Sequence, residues 1–191
     1  MSTMLDIIGS FITGATIILV ILNLNFQITT SQRENFFSSL SQTEVITFAS
    51  ILENDFYKIG FQSSTSNIIT SADSIAIQFY ADIDNDTTAE QVYYNLGAAS
   101  DLSGTTNPSD RPVYRKVGSS STQLVGSAYS MQLSYYDSIG NQLQYSSLSS
   151  QANRNRIKKI GINYVFETPY PVDGNYQRVQ WKKFINPRNL N

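Results

Sequence analysis

The sequence contains no histidine and no cysteine among its 191 residues. Without histidine it lacks the commonest general base at neutral pH and the commonest ligand of catalytic zinc, copper and non-haem iron. Without cysteine it has no disulfide framework and no thiolate metal site, so cysteine usage says nothing about the compartment. The remaining carboxylates, lysines, tyrosines and hydroxyls form no recognisable catalytic spacing, and we predict that the chain is not an enzyme.

Charged residues are also scarce and unevenly distributed. They make up 15% of the chain, whereas about 25% is usual for a soluble domain. Residues 1–150 hold five of the 13 basic and 13 of the 15 acidic side chains, so the C-terminal segment is locally basic. No Lys or Arg precedes Arg33, and 26 consecutive uncharged residues separate Arg33 from Asp6. We therefore expect one domain with an appendage that does not face water.

The uncharged segment has the length and composition of a membrane span. Residues 7–26 (IIGSFITGATIILVILNLNF) are apolar enough to cross about 30 Å of hydrocarbon as a helix. A cleaved secretory signal is the alternative, but that requires a basic n-region and a small-residue cleavage site. Apolar residues continue at near-helical spacing without Gly or Pro from Phe26 to Phe56, and Gly60 is the first breaker.

This pattern predicts one helix over residues 3–58, roughly 80 Å long. Its second half is amphipathic, with one face free to pack on a head and the other on neighbouring subunits. We divide the chain into a hydrophobic transmembrane or assembly helix (1–28), the amphipathic continuation of that helix (29–60) and a β-rich globular head (61–191).

From about residue 68 the apolar period changes to two, which is typical of half-buried antiparallel strands. Ile75, Ile77 and Phe79 alternate with their neighbours, and so do the odd-numbered residues 129–135. The same pattern predicts strands at 91–96, 112–117, 122–126, 142–146, 158–166 and 176–185, with a turn at 137–141 and a surface excursion at 98–121. A one-faced antiparallel sheet needs a cover, which the amphipathic half of the helix can supply. The expected fold class is α+β, a long N-terminal helix packed on an antiparallel β-sheet head.

The opening run Ser2-Thr3-Met4-Leu5-Asp6 resembles the start of type IV pilins and pseudopilins, whose mature chains begin with a Phe-Thr-Leu-Ile-Glu-like run. With Met1 discounted, Thr3 takes the second place and Asp6 the fifth. Ser2 stands where phenylalanine is usual and Asp6 where glutamate is usual. The family's basic leader is missing, so we expect a chain that is already processed or processed atypically.

Later runs resemble the minor pilins and the J-type minor pseudopilins. They are the helix end at 54–61, an Ile-x-Phe-Tyr-x-Asp-x-Asp run at 77–84, a Val-x-Tyr-x-Leu run at 92–96 and the closing run at 185–190. The resemblance implies a pilin-like fold and a structural subunit of a type IV pilus-like or type II secretion pseudopilus filament. Its partners would be copies of itself or other pilin-like subunits. It would be a single-pass protein of the bacterial inner membrane and then part of a periplasmic or extracellular filament.

The resemblance also places the assembly residues at Ser2, Thr3 and Asp6. A carboxylate at the rim of an apolar segment is costly unless it is paired, and in a filament its partner would be the N-terminal amine of an adjacent subunit. The alternative for Asp6 is a solvated charge or a helix-start acid stabilised by the macrodipole. The alternative function is a single-pass membrane-anchored β-domain that binds a partner or ligand without polymerising.

Two groups of charged residues in the head have patterns that occur in binding sites, one for calcium and one for nucleic acid. Asp82, Asp84 and Asp86, with Glu90 nearby, have a D-x-D-x-D spacing that can direct carboxylate oxygens at one calcium ion. Thr87 and Tyr93 stand where an EF-hand loop requires glycine and glutamate. We therefore favour a solvated turn, keep calcium as the alternative, and expect no other cofactor or metal.

The second group is basic and suggests a nucleic-acid surface. Strand alternation explains it more simply, because residues 160, 162, 164 and 166 would face inward while the charges coat the other face and the edges. Nucleic acid is therefore not an expected partner. The group consists of Arg154, Arg156, Lys158, Lys159, Arg178, Lys182 and Lys183.

Overall fold

The structure is a computed structural model that describes residues 2–171 and 174–190. Its first element is helix α1 (Ser2–Tyr57), whose 56 residues extend about 84 Å at 1.5 Å per residue. The predicted long N-terminal helix is therefore confirmed. Gly60 follows the helix with a φ of 80°, a left-handed conformation that glycine adopts most easily. Its N–H donates to the Tyr80 carbonyl at 2.8 Å, which turns the chain into the head.

Within residues 61–171 and 174–190, the head consists of eight strands and a short second helix. Two 3₁₀ turns, Ala99–Asp101 and Tyr145–Ser149, interrupt the connections. The regular elements are β1 (Ile69–Ala72), β2 (Ala76–Ala81), β3 (Glu90–Leu96), β4 (Arg111–Val117), β5 (Gln123–Ala128), β6 (Ser130–Tyr136), α2 (Gln151–Arg154), β7 (Lys159–Glu167) and β8 (Arg178–Ile185).

The strands form two antiparallel sheets where the alternation pattern led us to expect one. The first has five strands in the order β1-β2-β3-β4-β5, and the second has three in the order β6-β7-β8. Only Tyr129 separates β5 from β6, and its N–H donates to the Val165 carbonyl at 2.8 Å. The chain thus passes from one sheet to the other within one residue. Which strands pair is a tertiary outcome that period-two alternation does not encode.

The C-terminal part of α1 is the centre of the core. Its buried residues lie at helical spacing, at 41, 45, 48, 49, 52, 55 and 56. The Phe48 ring packs on Tyr164 of β7 with ring centroids 4.4 Å apart. The Phe56 ring contacts Phe79 of β2 and Tyr94 of β3, each at 5.7 Å. The expected cover of the sheet is confirmed, and this one helix covers both sheets.

Close approach of the helix to β5 depends on Gly126. A Cβ at this position would lie 3.1 Å from the Phe48 ring, nearer than side chains normally approach. The missing side chain therefore lets the Phe48 ring sit against the backbone of β5. This contact fixes the distance between the helix and the first sheet.

Most of the predicted strands are present, but three predictions were wrong or incomplete. The strand expected at 142–146 is absent from the described residues: Gln142 forms one isolated bridge with Tyr136, and the 3₁₀ turn follows. The Tyr145 hydroxyl donates to the Leu133 carbonyl at 2.5 Å, which draws this segment inward. Strand β1 was not predicted. The excursion at 98–121 contains β4 and the buried residues Asn107 and Asp110, so much of it packs on the head.

Candidate functional site

The N-terminal half of α1 stands clear of the head. Within the described residues it is the one helix long and apolar enough to cross a membrane, and none of its most apolar 18-residue stretch is buried. Phe11 is 76% exposed and Phe26 is 70% exposed. Apolar side chains occupy consecutive positions at 17–22 and so surround the helix. A helix that is apolar on all sides is stable in a membrane or inside a bundle of helices.

Most of the polar side chains of this segment form a hydrogen bond inside the helix. The hydroxyls of Ser10, Thr13 and Thr16 donate to the carbonyl four residues earlier, at 2.7, 2.8 and 2.8 Å. The Gln27 amide donates to the Asn23 side chain at 2.8 Å. Because these bonds need no water, the polar groups can enter hydrocarbon or a helix bundle at little cost.

Asp6 lies in the first turns of α1 with its side chain exposed, and Thr3 is exposed beside it. Ser2 is the first helical residue, and its side chain and Met1 lie outside the described part of the chain. None of the salt bridges among the described residues includes Asp6. The first basic residue along the helix, Arg33, is about 40 Å away at 1.5 Å per residue. The carboxylate of Asp6 thus has no basic side chain of its own helix within reach.

Beyond the apolar segment, α1 still exposes large apolar side chains. Phe36 is 65% exposed, Leu40 42% and Ile46 68%. Leu40 also borders a cavity between α1 and the head, whereas Phe36 and Ile46 lie outside the buried face that begins at Ser41. This outer face lies about 15 to 30 Å past Phe26 along the axis. It offers an apolar surface outside the stretch that a membrane of ordinary thickness would cover.

A buried polar network joins α1 to the first sheet. Asp55 is 1% exposed, and its Oδ2 accepts from Arg115 Nε at 2.7 Å and from the Tyr94 hydroxyl at 2.5 Å. Arg115 Nε also donates to the Tyr94 oxygen at 3.0 Å. Tyr94 lies on β3 and Arg115 on β4, which are paired directly at these two residues. The network therefore fixes the rotation of the helix on the sheet.

Burial and neighbouring charges keep Tyr94 protonated and Arg115 positively charged, and in these forms both side chains can donate to Asp55. Burial, and next the charge of Asp55, raise the pKa of Tyr94 well above its ordinary value, so the hydroxyl remains a donor. Burial lowers the pKa of Arg115, but its hydrogen bond and charge interaction with Asp55 outweigh this and leave the pKa raised. Arg115 thus stays a cation beside the Asp55 carboxylate.

Our sequence reasoning did not assign a role to Asp55, Tyr94 or Arg115. A signal was present for Asp55, because it lies three residues after Leu52 and directly before Phe56, within the apolar stripe. A charged residue on the apolar face of an amphipathic helix predicts a buried partner. The identity of that partner depends on the packing of the sheet and could not be read from the sequence.

The predicted Asp82 loop is held by its own carboxylates. Oδ1 of Asp82 accepts from the N–H groups of Asn85 and Asp86 at 2.6 and 3.2 Å, and Oδ2 accepts from Thr87 at 3.0 Å. The ligand oxygens of Asp82, Asp84 and Asp86 lie within 4.8 Å of one another. Glu90 Oε2 accepts from the Ile83 N–H at 3.2 Å.

A cation of the chain itself also stabilises this loop. Lys58 Nζ, just past α1, donates to the Ile83 carbonyl at 2.6 Å and to Asn85 Oδ1 at 3.0 Å. The carboxylates accept from most of the loop's backbone N–H groups, and the ammonium group donates to one carbonyl. The preference for a solvated turn over calcium stays a prediction.

We expect calcium to contribute little to stability. Adding EGTA to the full chain in detergent should leave the melting temperature unchanged, and Asp84→Asn should behave like the wild type because Asp84 is exposed. Asp82→Ala is the contrasting variant, since it removes the acceptor of three backbone N–H groups and should cost about 1 to 3 kcal/mol. A fall of many degrees on adding EGTA would show that the loop binds calcium.

Most of the basic residues that suggested a nucleic-acid surface have partners within the chain. Arg178 pairs with Glu167, Arg156 with Asp137 and Lys183 with Glu53, the last at 3.2 Å. Arg154 donates to the carbonyls of Leu148 and Ser149, and Lys158 to that of Leu190. Lys159 lies over the Tyr136 and Phe184 rings. Most of these cations thus have partners within the chain. The expectation that residues 160, 162, 164 and 166 face inward is confirmed, because all four are buried.

Comparison with known proteins finds no matching family model, no matching curated protein and no matching solved structure.

Proposed function

We propose that this chain is a structural subunit of a filament of the type IV pilin and pseudopilin kind, which polymerises through its N-terminal helix. The observation that carries the proposal is that the two parts of α1 lie in different environments. Its first part contacts nothing in the head and is apolar on all sides, whereas its last part is the centre of the core. Such a helix is suited to a fibre in which N-terminal helices pack on one another and heads face outward.

A role as a membrane tether alone accounts for fewer features of α1 than a role in a filament. A tether needs about 20 apolar residues to cross the hydrocarbon, and residues 7–26 supply them. The exposed Phe36, Leu40 and Ile46 lie beyond that stretch and would face water in an isolated subunit. In a filament these side chains would pack on neighbouring helices, where burial of apolar surface is favourable.

In this proposal the apolar part of α1 anchors the subunit in the bacterial inner membrane before assembly. It is then transferred from lipid to the helix bundle of the filament, in which other copies or other pilin-like subunits surround it. The internally satisfied hydroxyls of Ser10, Thr13 and Thr16 suit both environments. The head contributes the outer surface of the fibre.

Cryo-microscopy of sheared surface material tests the proposal. We expect filaments that contain this chain, and we expect Ile46→Glu to reduce filament yield strongly, because it places a charge in a helix-to-helix contact. Its head should still fold, since Ile46 is 68% exposed. Ile46→Leu, which keeps this exposed position apolar, is the matched control and should give the wild-type filament yield. Absence of filaments, together with a monomer in detergent, would favour the membrane-anchored domain that does not polymerise.

A further inference from the structure

The connection between β3 and β4, residues 97–110, is held against the end of β7 by buried polar groups. We call it the β3–β4 segment. The Asn107 amide donates to Glu167 Oε2 at 2.9 Å and to the Thr168 carbonyl at 3.2 Å. Asn107 and Glu167 are each 4% exposed. The attachment of the segment therefore depends on side chains that water hardly reaches.

Asp110 ends this segment and is buried still more completely. It is 1% exposed, and its two carboxylate oxygens have essentially no accessible surface and no hydrogen-bond partner among the described residues. The Ser127 and Thr105 hydroxyls and the Arg111 N–H lie near it. An ionised carboxylate at such a position loses its hydration, and this is costly unless a cation or strong hydrogen bonds replace it.

The surroundings of Asp110 are acidic or neutral on most sides. Burial raises the pKa of Tyr164, so its hydroxyl stays neutral and donates to the Ser127 carbonyl. The charged and titratable side chains around Asp110 are Glu44 on α1, Arg111 on β4, Tyr164 and Glu167 on β7, and Arg178 on β8, whereas β5 contributes the Ser127 hydroxyl.

The two cations of this set are directed elsewhere. Arg111 Nε donates to the Gly97 carbonyl at 2.8 Å. Arg178 pairs with Glu167, and its side chain is 57% exposed. Two buried acids, Asp110 and Glu167, thus have one partly exposed cation between them, and that cation is bound to Glu167. The fold favours a neutral Asp110, because a second buried charge would lie unpaired beside the first.

We propose that Asp110 is a pH-sensitive switch: its protonated carboxyl holds the β3–β4 segment on the head, and its ionisation at higher pH loosens the segment. A protonated carboxyl both donates and accepts, so it can pair with the Thr105 and Ser127 hydroxyls without adding a charge beside Glu167. The switch lies inside the head and does not depend on the proposed function.

The direction of the pH effect follows from burial. Burial raises the pKa of Asp110 by more than the nearby hydroxyls and the Arg111 N–H lower it, and the charge of Glu167 raises it further. Between the ordinary pKa and the raised one, the folded head therefore binds more protons than the unfolded chain. The stability that Asp110 contributes is complete below the ordinary pKa and is lost as the pH rises through the raised pKa.

NMR of the isotopically labelled full chain in detergent tests the protonation state directly. The Asp110 Cγ signal, assigned through backbone connectivity, should keep the shift of a protonated carboxyl well above the ordinary aspartate pKa of about 3.9. The same signal in the urea-unfolded chain is the reference and should titrate near that ordinary value. A folded-state signal that titrates at or below the reference would overturn the proposal.

Asp110→Asn tests the coupling to folding, because it keeps the shape and removes the titration. The ratio of the wild-type to the variant unfolding constant should rise by up to about tenfold per pH unit from about pH 4 to the raised pKa. Glu44→Gln removes an exposed acid nearby and should change this ratio by about twofold at most across the same range. Parallel pH profiles of the wild type and Asp110→Asn would exclude the switch.

Amide exchange of Ser109 reports the segment itself, since its N–H donates to Asn107 Oδ1 at 2.9 Å. At about pH 8 this amide should exchange about tenfold faster in the wild type than in Asp110→Asn, and at about pH 5 the two should agree. Equal exchange in both proteins at both pH values would show that Asp110 does not control the segment.

Discussion

Replacing Asp6 with alanine is expected to abolish or strongly slow filament assembly while the head stays folded and the protein stays in the membrane. Asp6 precedes 26 uncharged residues, and Arg33 is about 40 Å further along α1. No basic side chain of the subunit reaches its carboxylate, and in the proposed filament the α-amino group of a neighbour is its partner. Without Asp6 that amine would remain unpaired in an apolar setting, at a cost of about 3 to 5 kcal/mol.

Filament yield after shearing measures this effect, with membrane content of the subunit as the reference. Asp6→Glu should be tolerated because it keeps the charge and adds one methylene of reach. Asp6→Asn should fail like Asp6→Ala, since it keeps the shape and removes the charge. Ser10→Ala is a matched control in the same turns, because the Ser10 hydroxyl only donates to the Asp6 backbone carbonyl. Wild-type yield from Asp6→Ala would return Asp6 to an ordinary helix-start acid.

The second large effect is expected inside the head. Asp55→Ala should lower the free energy of unfolding by about 3 kcal/mol or more, because it leaves the Arg115 cation and the Tyr94 hydroxyl without their shared acceptor. The side chains of Arg115 and Asp55 are 17% and 2% exposed, so water replaces the lost partner poorly. Tyr94→Phe should cost only about 1 kcal/mol, since it removes one hydrogen bond and keeps the ion pair.

Chemical denaturation of the full chain in detergent measures these changes. Trp181, the single tryptophan, packs against the core and reports unfolding of the head by its fluorescence. In a double-mutant cycle, Asp55→Ala with Arg115→Ala should cost less than the sum of the single changes, because neither charge is then left alone. Additive costs would mean that the two side chains do not stabilise the fold through each other. If Asp55→Ala lowered the free energy of unfolding by less than about 1 kcal/mol, solvent would be screening the ion pair between Asp55 and Arg115.

These two acids differ in what the sequence reveals about them. Asp6 was singled out because it lies at the start of an uncharged run and because residues 2–6 resemble the opening of type IV pilins. Asp55 was not, although it lies on the same face as Leu52 and Phe56. An acid beside a long apolar segment can be recognised from the sequence alone. An acid that is paired with Tyr94 and Arg115, 39 and 60 residues away, depends on strand pairing.

Local patterns in the sequence were enough to predict the long helix, its apolar first part and the positions of most strands. These features depend on local periodicity: helical spacing from Phe26 to Phe56, the absence of Gly or Pro over that range, and period-two alternation in the head. Gly60 likewise marked the end of the helix, because glycine adopts the left-handed turn with little strain.

How these elements pack against one another could not be predicted from local patterns. The division into two sheets, the loss of the strand expected at 142–146 and the burial of Asp110 all depend on contacts between distant residues. Gly126 shows the physical reason: its missing side chain matters only because Phe48, 78 positions earlier in the chain, lies against it. Local patterns fix which face of an element is apolar, whereas packing decides what that face meets and which polar groups become buried with it.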